Sequence, residues 1–276
     1  MTSGQTVISV CLITYNHAKY IREAIEGVLM QTTTYAWELI IADDFSTDET
    51  VEILLQYKEK YPENIRLILQ KENVGPANNF RQLLTAAKSK YIAYLEGDDF
   101  WSDTKKLQKQ VDYLEANPDY GICFTDADVL YEETGKIIKS FDKTNRKRIP
   151  SGDALIRIVY YNPYKSCTVI FRNINLELFF LELEKTGFKI GDWPLWIYFA
   201  EFSKISYLNF SSATYRIRSG SASNFVSFAL QNKFYKTFDD ITDYYCKKHN
   251  LPNTKFMQQM RHIRRLLSHV RGQLRK

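Results

Sequence analysis

The sequence predicts an α/β fold: a mostly parallel central sheet with helices on both faces, followed by a helical C-terminal extension. Three observations carry this expectation. The first 130 residues alternate short β-branched runs with stretches of helical spacing, the pattern of strand–helix–strand units. No internal repeat or low-complexity linker interrupts them. The 276 residues, 45% hydrophobic and 25% charged, hold ample material for a core.

The elements follow in order. Residues 7–13 are an apolar, β-branched first strand, and residues 20–31 a helix with Ile21, Ala24, Ile25, Val28 and Leu29 on one face. Residues 37–42 form the second strand. Ser46-Thr47-Asp48-Glu49 reads as a capping box opening a helix to about Lys60. A third strand at 65–69, a helix at 77–88 and a fourth strand at 91–95 come next. Ser102 reads as the cap of a helix that stops before Asn117-Pro118, and a strand follows at 120–125. The second half is less regular. Strands are expected at 136–141, 166–171, 204–210 and 213–217, helices at 151–160 and 192–202, and a helical extension from about Ser221.

Composition excludes several classes. No stretch approaches the roughly 18 apolar residues that span a bilayer, and the N-terminus has no basic region or cleavage site of a signal peptide. Cys11, Cys123, Cys167 and Cys246 are scattered and read as reduced core thiols. His17, His249, His262 and His269 do not pair with them at zinc spacing. A cytoplasmic protein is expected. The net charge of +5 is uneven: after Asp243 there are nine bases and no acid, while residues 1–243 hold 28 bases against 32 acids. In that tail Phe256, Met257, Met260, Ile263, Leu267, Val270 and Leu274 keep helical spacing among arginines. Residues 255–276 read either as a helix docked on the domain with a solvated basic face, or as a peripheral contact at the inner face of an anionic membrane. No nucleic-acid recognition motif accompanies the charge.

The most informative stretch is 90–101, KYIAYLEGDDFW. Its apolar strand ends in Glu96, Asp98 and Asp99, oxygen ligands that suit a hard cation, Mg²⁺ or Mn²⁺, of use where a substrate carries phosphates. Two earlier strands also end in polar clusters, where open α/β sheets bind ligands: Thr14-Tyr15-Asn16-His17, and Asp43-Asp44-Phe45-Ser46. Tyr15 could stack on a base or sit in a plain βα turn. The helix cap explains Ser46 but not the two acids before it. Gly191-Asp192-Trp193-Pro194 opens a helix, and Asp192 could cap it, with Pro194 in the first turn. Thr125-Asp126-Ala127-Asp128 also follows an apolar strand and reads as a structural or acceptor-side turn.

In this order, VISVCLITYNHAKYI…WELIIADDFSTDET…ENVG…YIAYLEGDDFW resembles the inverting family 2 glycosyltransferases of GT-A (Rossmann-like) fold. The resemblance is dense over about the first 130 residues. It implies that Thr14, Tyr15, Asn16, Asp43 and Asp44 line the nucleotide site. Glu96, Asp98 and Asp99 fall on the family's acidic motif, with Glu at its head; Glu96 and Asp98 would bind ribose and diphosphate, and Asp98 or Asp99 the metal. Asp192 matches the general base, with Gly191 in place of a first acid. Tyr215-Arg216-Ile217-Arg218 through Ser223 resembles a segment that closes over the diphosphate, with Arg218 where histidine is usual. A guanidinium there can clamp phosphate but cannot ligate a metal.

The resemblance implies transfer of a sugar from a nucleotide-diphosphate donor, UDP- or dTDP-sugar favoured, to a hydroxyl of a glycan or lipid-linked acceptor in surface polysaccharide synthesis. It divides the chain into a nucleotide-binding half (1–130), an acceptor half (131–220) and the extension (221–276). Two other readings stand beside it. A non-catalytic nucleotide-sugar binding module would lack the metal acids or the base. A sugar-nucleotide pyrophosphorylase would want a glycine-rich loop after strand one, and Thr14–Lys19 has no glycine.

Overall fold

The computed structural model describes residues 6–145, 148–188, 190–218, 228–254 and 259. By its contacts the chain divides into two compact units, Met1–Val226 and Ser227–Lys276. In the second, α9 (Phe228–Lys248) is a helix that ends where Leu251 N–H bonds back to Cys246 O, with Asn250 in the left-handed region. Residues 219–223 and the basic segment from 255 lie outside the described residues, apart from Gln259.

The first unit is built on one sheet in the order β3-β2-β1-β4-β8-β6-β9-β5, with β7 on β6. The strands β1 (Ile8–Thr14), β2 (Trp37–Asp43), β3 (Ile65–Leu69) and β4 (Tyr91–Glu96) pair in parallel, as the strand–helix alternation requires. Their helices lie on both faces. On one, Ile8, Val10, Leu12, Leu39, Ile41, Tyr91, Ala93 and Leu95 bury against α1 (Ile21–Leu29), α2 (Thr50–Lys60) and α4 (Lys106–Ala116). On the other, α3 (Pro76–Ala86) covers β1 and β2, with Cys11 Sγ 4.0 Å from Leu83 O. Gly27, in the middle of α1, sits where a Cβ would meet the Trp101 backbone at 2.9 Å. Helix propensity is given up there for close packing.

The sheet is mostly parallel, as expected, and beyond β4 it takes in short antiparallel pairs. The short β8 (Ile170–Arg172) runs antiparallel to both β4 and β6, and β5 (Phe100–Trp101) runs antiparallel to β9. β6 (Tyr120–Tyr131) is one long strand rather than a short strand and a turn, and β9 (Lys204–Ile217) merges two expected strands. They pair in parallel, with register shifts at Thr125/Asp126 and Asp126/Ala127 that bend the pair.

Local sequence signals were overridden in several places. Asp126 accepts N–H bonds from Asp142 and Lys143, so the stretch after β7 (Lys136–Ile138) turns into α5 (Phe141–Thr144) instead of extending. Residues 166–168 form a 3₁₀ turn before β8. The capping box does not form: Ser46 bonds to Asp43, and Asp48 Oδ1 accepts the Thr50 N–H at the start of α2. Ser102 likewise caps nothing; its N–H bonds Ser212 O, and α4 begins at Lys106. α6 (Leu155–Tyr160) is shorter than expected, and α7 (Glu177–Thr186) was not expected. α8 (Asp192–Phe202) has the expected bounds.

Candidate functional site

The C-terminal ends of β1, β2 and β4 are adjacent, with Thr14 opposite Asp43 and Ile13 opposite Glu96. Their loops therefore share one edge of the sheet. Asn16 and Phe45 both have positive φ, 54° and 65°, a backbone state that non-glycine residues adopt when the surroundings hold them there. The loops are laced together. Asn16 N–H bonds Ser46 Oγ at 2.8 Å, Asn16 Oδ1 accepts Thr47 N–H at 2.7 Å, His17 N–H bonds Thr50 Oγ1 at 2.9 Å, and Ala18 N–H bonds Asp48 Oδ2 at 3.0 Å.

This geometry separates the two acids after β2. Asp43 is buried and holds the turn through the backbone and hydroxyl of Ser46. Asp44 accepts Val74 N–H at 2.8 Å through Oδ1, while Asn73 Nδ2 donates to its carbonyl at 3.0 Å. The Asn73-Val74-Gly75 motif is thereby docked on Asp44. Burial raises the Asp44 carboxyl above its usual range. Tyr15 and Phe45, 44% and 47% exposed, present two aromatic side chains at this edge.

The acidic turn after β4 is held by β9. Phe100 pairs with Thr214 and Trp101 with Ala213, so the antiparallel register brings residue 216 opposite residue 98. Arg216 N–H bonds Asp99 Oδ1 at 2.8 Å and Arg216 Nε bonds Asp98 O at 2.8 Å. The Arg216 guanidinium also bonds Glu132 Oε2 and Glu23 Oε2 and lies over the Tyr20 ring at 4.8 Å. Its donors are committed within the fold. Arg218 Nε bonds Asp98 Oδ2 at 2.9 Å, and its Nη2 lies 3.0 Å from His17 Nε2. Thr14 Oγ1 is 3.3 Å from His17 Nδ1. Gly97 allows this contact: a Cβ there would meet His17 Nδ1 and Thr14 Oγ1 at 2.8 Å.

The three acids of the turn differ. Asp98 keeps its side chain partly exposed. Asp99 is buried beside Cys167, and its Oδ2 has no hydrogen-bond partner among the described residues. Burial, with Asp98 and Glu96 close by, pushes its carboxyl well above the usual range. Glu96 accepts Ser166 Oγ at 2.8 Å. Burial and the charges of Asp98 and Asp192 push it up to about 8, against the pull of that hydroxyl. Burial pulls the His17 imidazole below its usual range, opposed by Asp98.

Asp192 opens α8 as its first residue, with Gly191 as N-cap. Burial raises its carboxyl, while the N–H groups of Trp193 and Asp192 itself oppose the shift. Its charge acts on both Glu96 and Tyr94, which puts it across from the acidic turn. Gly191 has a packing reason: a Cβ there would strike Phe80 Cδ1 at 2.9 Å. Asp126 and Asp128 are strand residues, not a turn; Asp126 caps α5, and Asp128 binds Lys139, Ser140 N–H and Ser211.

Thr14, Glu96, Asp98, Asp99, Asp192, Arg216 and Arg218 thus come together, with Asp43, Asp44, Tyr15 and Asn16 along the same edge. His17, Ser166, Tyr20 and Glu132 join them without having been singled out as site residues. His17 is the last residue of the Thr14-Tyr15-Asn16-His17 cluster, so its position carried a signal; Ser166 and Glu132 carried none. Among the described residues no three His, Cys, Asp or Glu side chains converge to hold a metal. No described helix is long and apolar enough to cross a membrane.

The architecture is that of the GT-A glycosyltransferases. Staphylococcus aureus TarS 1–349, solved with UDP-GlcNAc, superposes with a TM-score of 0.55 at 20% identity, covering 85% of this chain and 65% of TarS. The mannosyltransferase PcManGT of Pyrobaculum calidifontis, solved with GDP-Man and Mn²⁺, superposes with a TM-score of 0.57 at 15% identity over 96% of this chain and 81% of its own. Residues 9–179 match the family described as Glycosyl transferase family 2, and the chain belongs to that family. A Bacillus subtilis (strain 168) relative carrying the name glycosyltransferase EpsE is 32% identical over 229 residues, 80% of this chain and 76% of its own. The Mycobacterium tuberculosis (strain H37Rv) protein Rv1520, itself uncharacterized, is 43% identical over 149 residues, 54% of this chain. The chain spans 43% of that relative's length.

Proposed function

We propose that this chain is a divalent-metal-dependent inverting glycosyltransferase. In this reading it moves a sugar from a nucleotide-diphosphate donor to an acceptor hydroxyl in the synthesis of a bacterial surface polysaccharide. The observation that carries it is the Glu96–Asp99 turn at the end of β4, clamped by β9, with the raised carboxyl of Asp192 acting on it from the start of α8. The names of relatives support the pathway class: a B. subtilis relative, 40% identical over 114 residues, is named for teichuronic acid biosynthesis. UDP- and GDP-sugars bound by the structural neighbours support the donor class, and Mn²⁺ in one of them supports a metal.

The residues fit such an ion. A partly exposed carboxylate at Asp98, completed by diphosphate oxygens, is the way Mg²⁺ and Mn²⁺ are commonly held. Asp98 is the better candidate; Asp99 is turned into the fold and supports the turn. When bound, the ion would offset charge on the leaving diphosphate. Asp192 takes the acceptor hydroxyl's proton onto its carboxylate as that oxygen attacks the anomeric carbon from the face opposite the diphosphate. Burial raises its proton affinity for this task. No second catalytic carboxylate is required, unlike a hydrolase. Glu96 holds its proton below about pH 8, which lowers the negative charge facing an incoming diphosphate and leaves a donor for a ribose oxygen. Arg218, at the mouth of the acidic turn, is the guanidinium available to the diphosphate; Arg216 is held by its own partners and positions the turn. Tyr15 and Asp44 line the base site.

A thermal-shift screen of UDP-, dTDP- and GDP-sugars with and without Mn²⁺ tests the reading, because a ligand that binds the native state stabilises it by mass action. Metal-dependent stabilisation by one nucleotide class is expected. No shift with any of them would remove the proposal. Contact of residues 255–276 with a membrane surface is a separate part of the proposal, tested by liposome co-sedimentation with and without that segment.

A further inference from the structure

His17 is held more firmly than a loop histidine needs to be. Its N–H donates to Thr50 Oγ1 at 2.9 Å, and its carbonyl accepts the N–H groups of Tyr20 and Ile21, each at 2.8 Å. The ring packs against the backbone of the acidic turn, where Gly97 alone leaves room for it. On its Nδ1 side stands Thr14 Oγ1 at 3.3 Å. If Nδ1 carries the proton and donates to that hydroxyl, the lone pair of Nε2 is left facing the turn. There Nε2 lies 3.9 Å from Asp98 Oδ2. One cationic group already bridges the two atoms: Arg218 places Nη2 3.0 Å from His17 Nε2 and Nε 2.9 Å from Asp98 Oδ2.

We propose that His17 Nε2 and Asp98 Oδ2 are ligands of the same divalent cation, with Arg218 leaving the space between them for the diphosphate when the ion enters. The inference rests on the metal-dependent reading of the site. With ligand bonds of about 2.1 Å, opposite octahedral donors stand about 4.2 Å apart, so the 3.9 Å between Nε2 and Oδ2 has to open only slightly for the two to face each other across the ion. Two protein ligands and the diphosphate oxygens make a common divalent-cation set. A nitrogen ligand also turns the choice toward Mn²⁺, because imidazole binds transition ions better than Mg²⁺. Thr14 then acts as a positioning residue that fixes the tautomer.

Pulsed EPR of the full chain with Mn²⁺ and inorganic pyrophosphate tests this without any turnover. The wild type is expected to show the nitrogen-14 modulation of a directly bound imidazole. His17→Gln is expected to lose it and to bind Mn²⁺ at least about tenfold more weakly, since even the loss of an outer partner of a metal ligand costs that much. His17→Asn serves if His17→Gln does not fold by circular dichroism. Bound Mn²⁺ that is lost in Asp98→Asn but shows no nitrogen coupling in the wild type would overturn the His17 assignment and leave the metal reading standing. Coupling that persists in His17→Gln would also overturn it. No saturable Mn²⁺ binding by the wild type would overturn both.

Discussion

Replacing Arg216 with methionine separates a structural guanidinium from one that binds diphosphate. Arg216 is nearly buried and donates to the Asp98 carbonyl, Glu132 and Glu23. Methionine keeps an aliphatic side chain at this position but removes every side-chain donor, and with it the guanidinium that lies over Tyr20 and Phe100. Glu132 retains Lys19 at 2.6 Å, and Glu23 is half exposed, so neither is left as an unpaired buried charge. The Asp98 carbonyl loses its guanidinium partner outright. A buried acceptor left without its donor costs about 1–3 kcal/mol, and the solvent access of Glu23 and the Lys19 partner of Glu132 keep the ion pairs from adding a buried-charge penalty. For a unit of this size each kcal/mol lowers Tm by about 2–4 °C, giving about 2–12 °C. The assay is thermal unfolding beside donor KM and kcat. A fall in Tm is expected, with turnover reduced because the Asp98 backbone loses its guanidinium clamp while the backbone bond to Asp99 stays. An unchanged Tm with KM for the donor raised tenfold or more would refute the structural role and return Arg216 to the diphosphate.

Three further outcomes follow from the site. Asp192→Asn should lower kcat by about 10²–10⁴-fold, the usual worth of a positioned base, with donor affinity unchanged; Asp98→Ala should lower turnover as well, but also abolish metal-dependent donor binding in a titration. The pH response of Glu96 has a definite sign. Burial and its acidic neighbours push it up to about 8, above the ordinary 4.5 of a glutamate, so between those two pH values the native state binds more protons than the unfolded chain. Stability from this group is full below about pH 4.5 and is lost as pH rises toward 8. In EDTA, the urea midpoint of the wild type should therefore fall between pH 6 and pH 8.5 more than that of Glu96→Gln; equal falls would refute the buried, raised carboxyl. Gly191→Asp, which restores the acid of the family pattern, should destabilise by about 1–3 kcal/mol through overpacking, since its Cβ would meet Phe80 at 2.9 Å. Adding Phe80→Leu should recover part of the loss in the same melt.

How far the sequence could be read varies with the range of the interactions. The parallel strands were legible to within a residue or so, because β1, β2 and β4 are apolar runs largely buried on both faces, and the edge strand β3 is a short apolar run of its own. α8 was legible in full from Gly191-Asp192-Trp193-Pro194 and the apolar run behind it. α7 was not: it buries Phe179, Phe180 and Leu183 but leaves Leu178 and Leu181 exposed, which blurs the helical period. Ser46 was misread as a cap because its hydroxyl bonds Asp43 instead of the helix end, and Ser102 because α4 begins only at Lys106.

From the chain alone came the family, the polar clusters at three strand ends and the carboxylates able to meet a cation, since these depend on neighbours in sequence and on the strand–helix period. Tertiary structure decided how those carboxylates differ. Asp98 faces outward and Asp99 inward because β9 pairs with β5 immediately after the turn. Glu96 is raised by burial first and by Asp98 beside it, and further by Asp192, which the first turn of α8 brings near from 96 residues away. Arg216 and Arg218 read alike in sequence, yet one is bound into the fold and the other stands between His17 and Asp98. Burial and charge at a site are sums over groups brought together from distant parts of the chain, and no local pattern contains those sums.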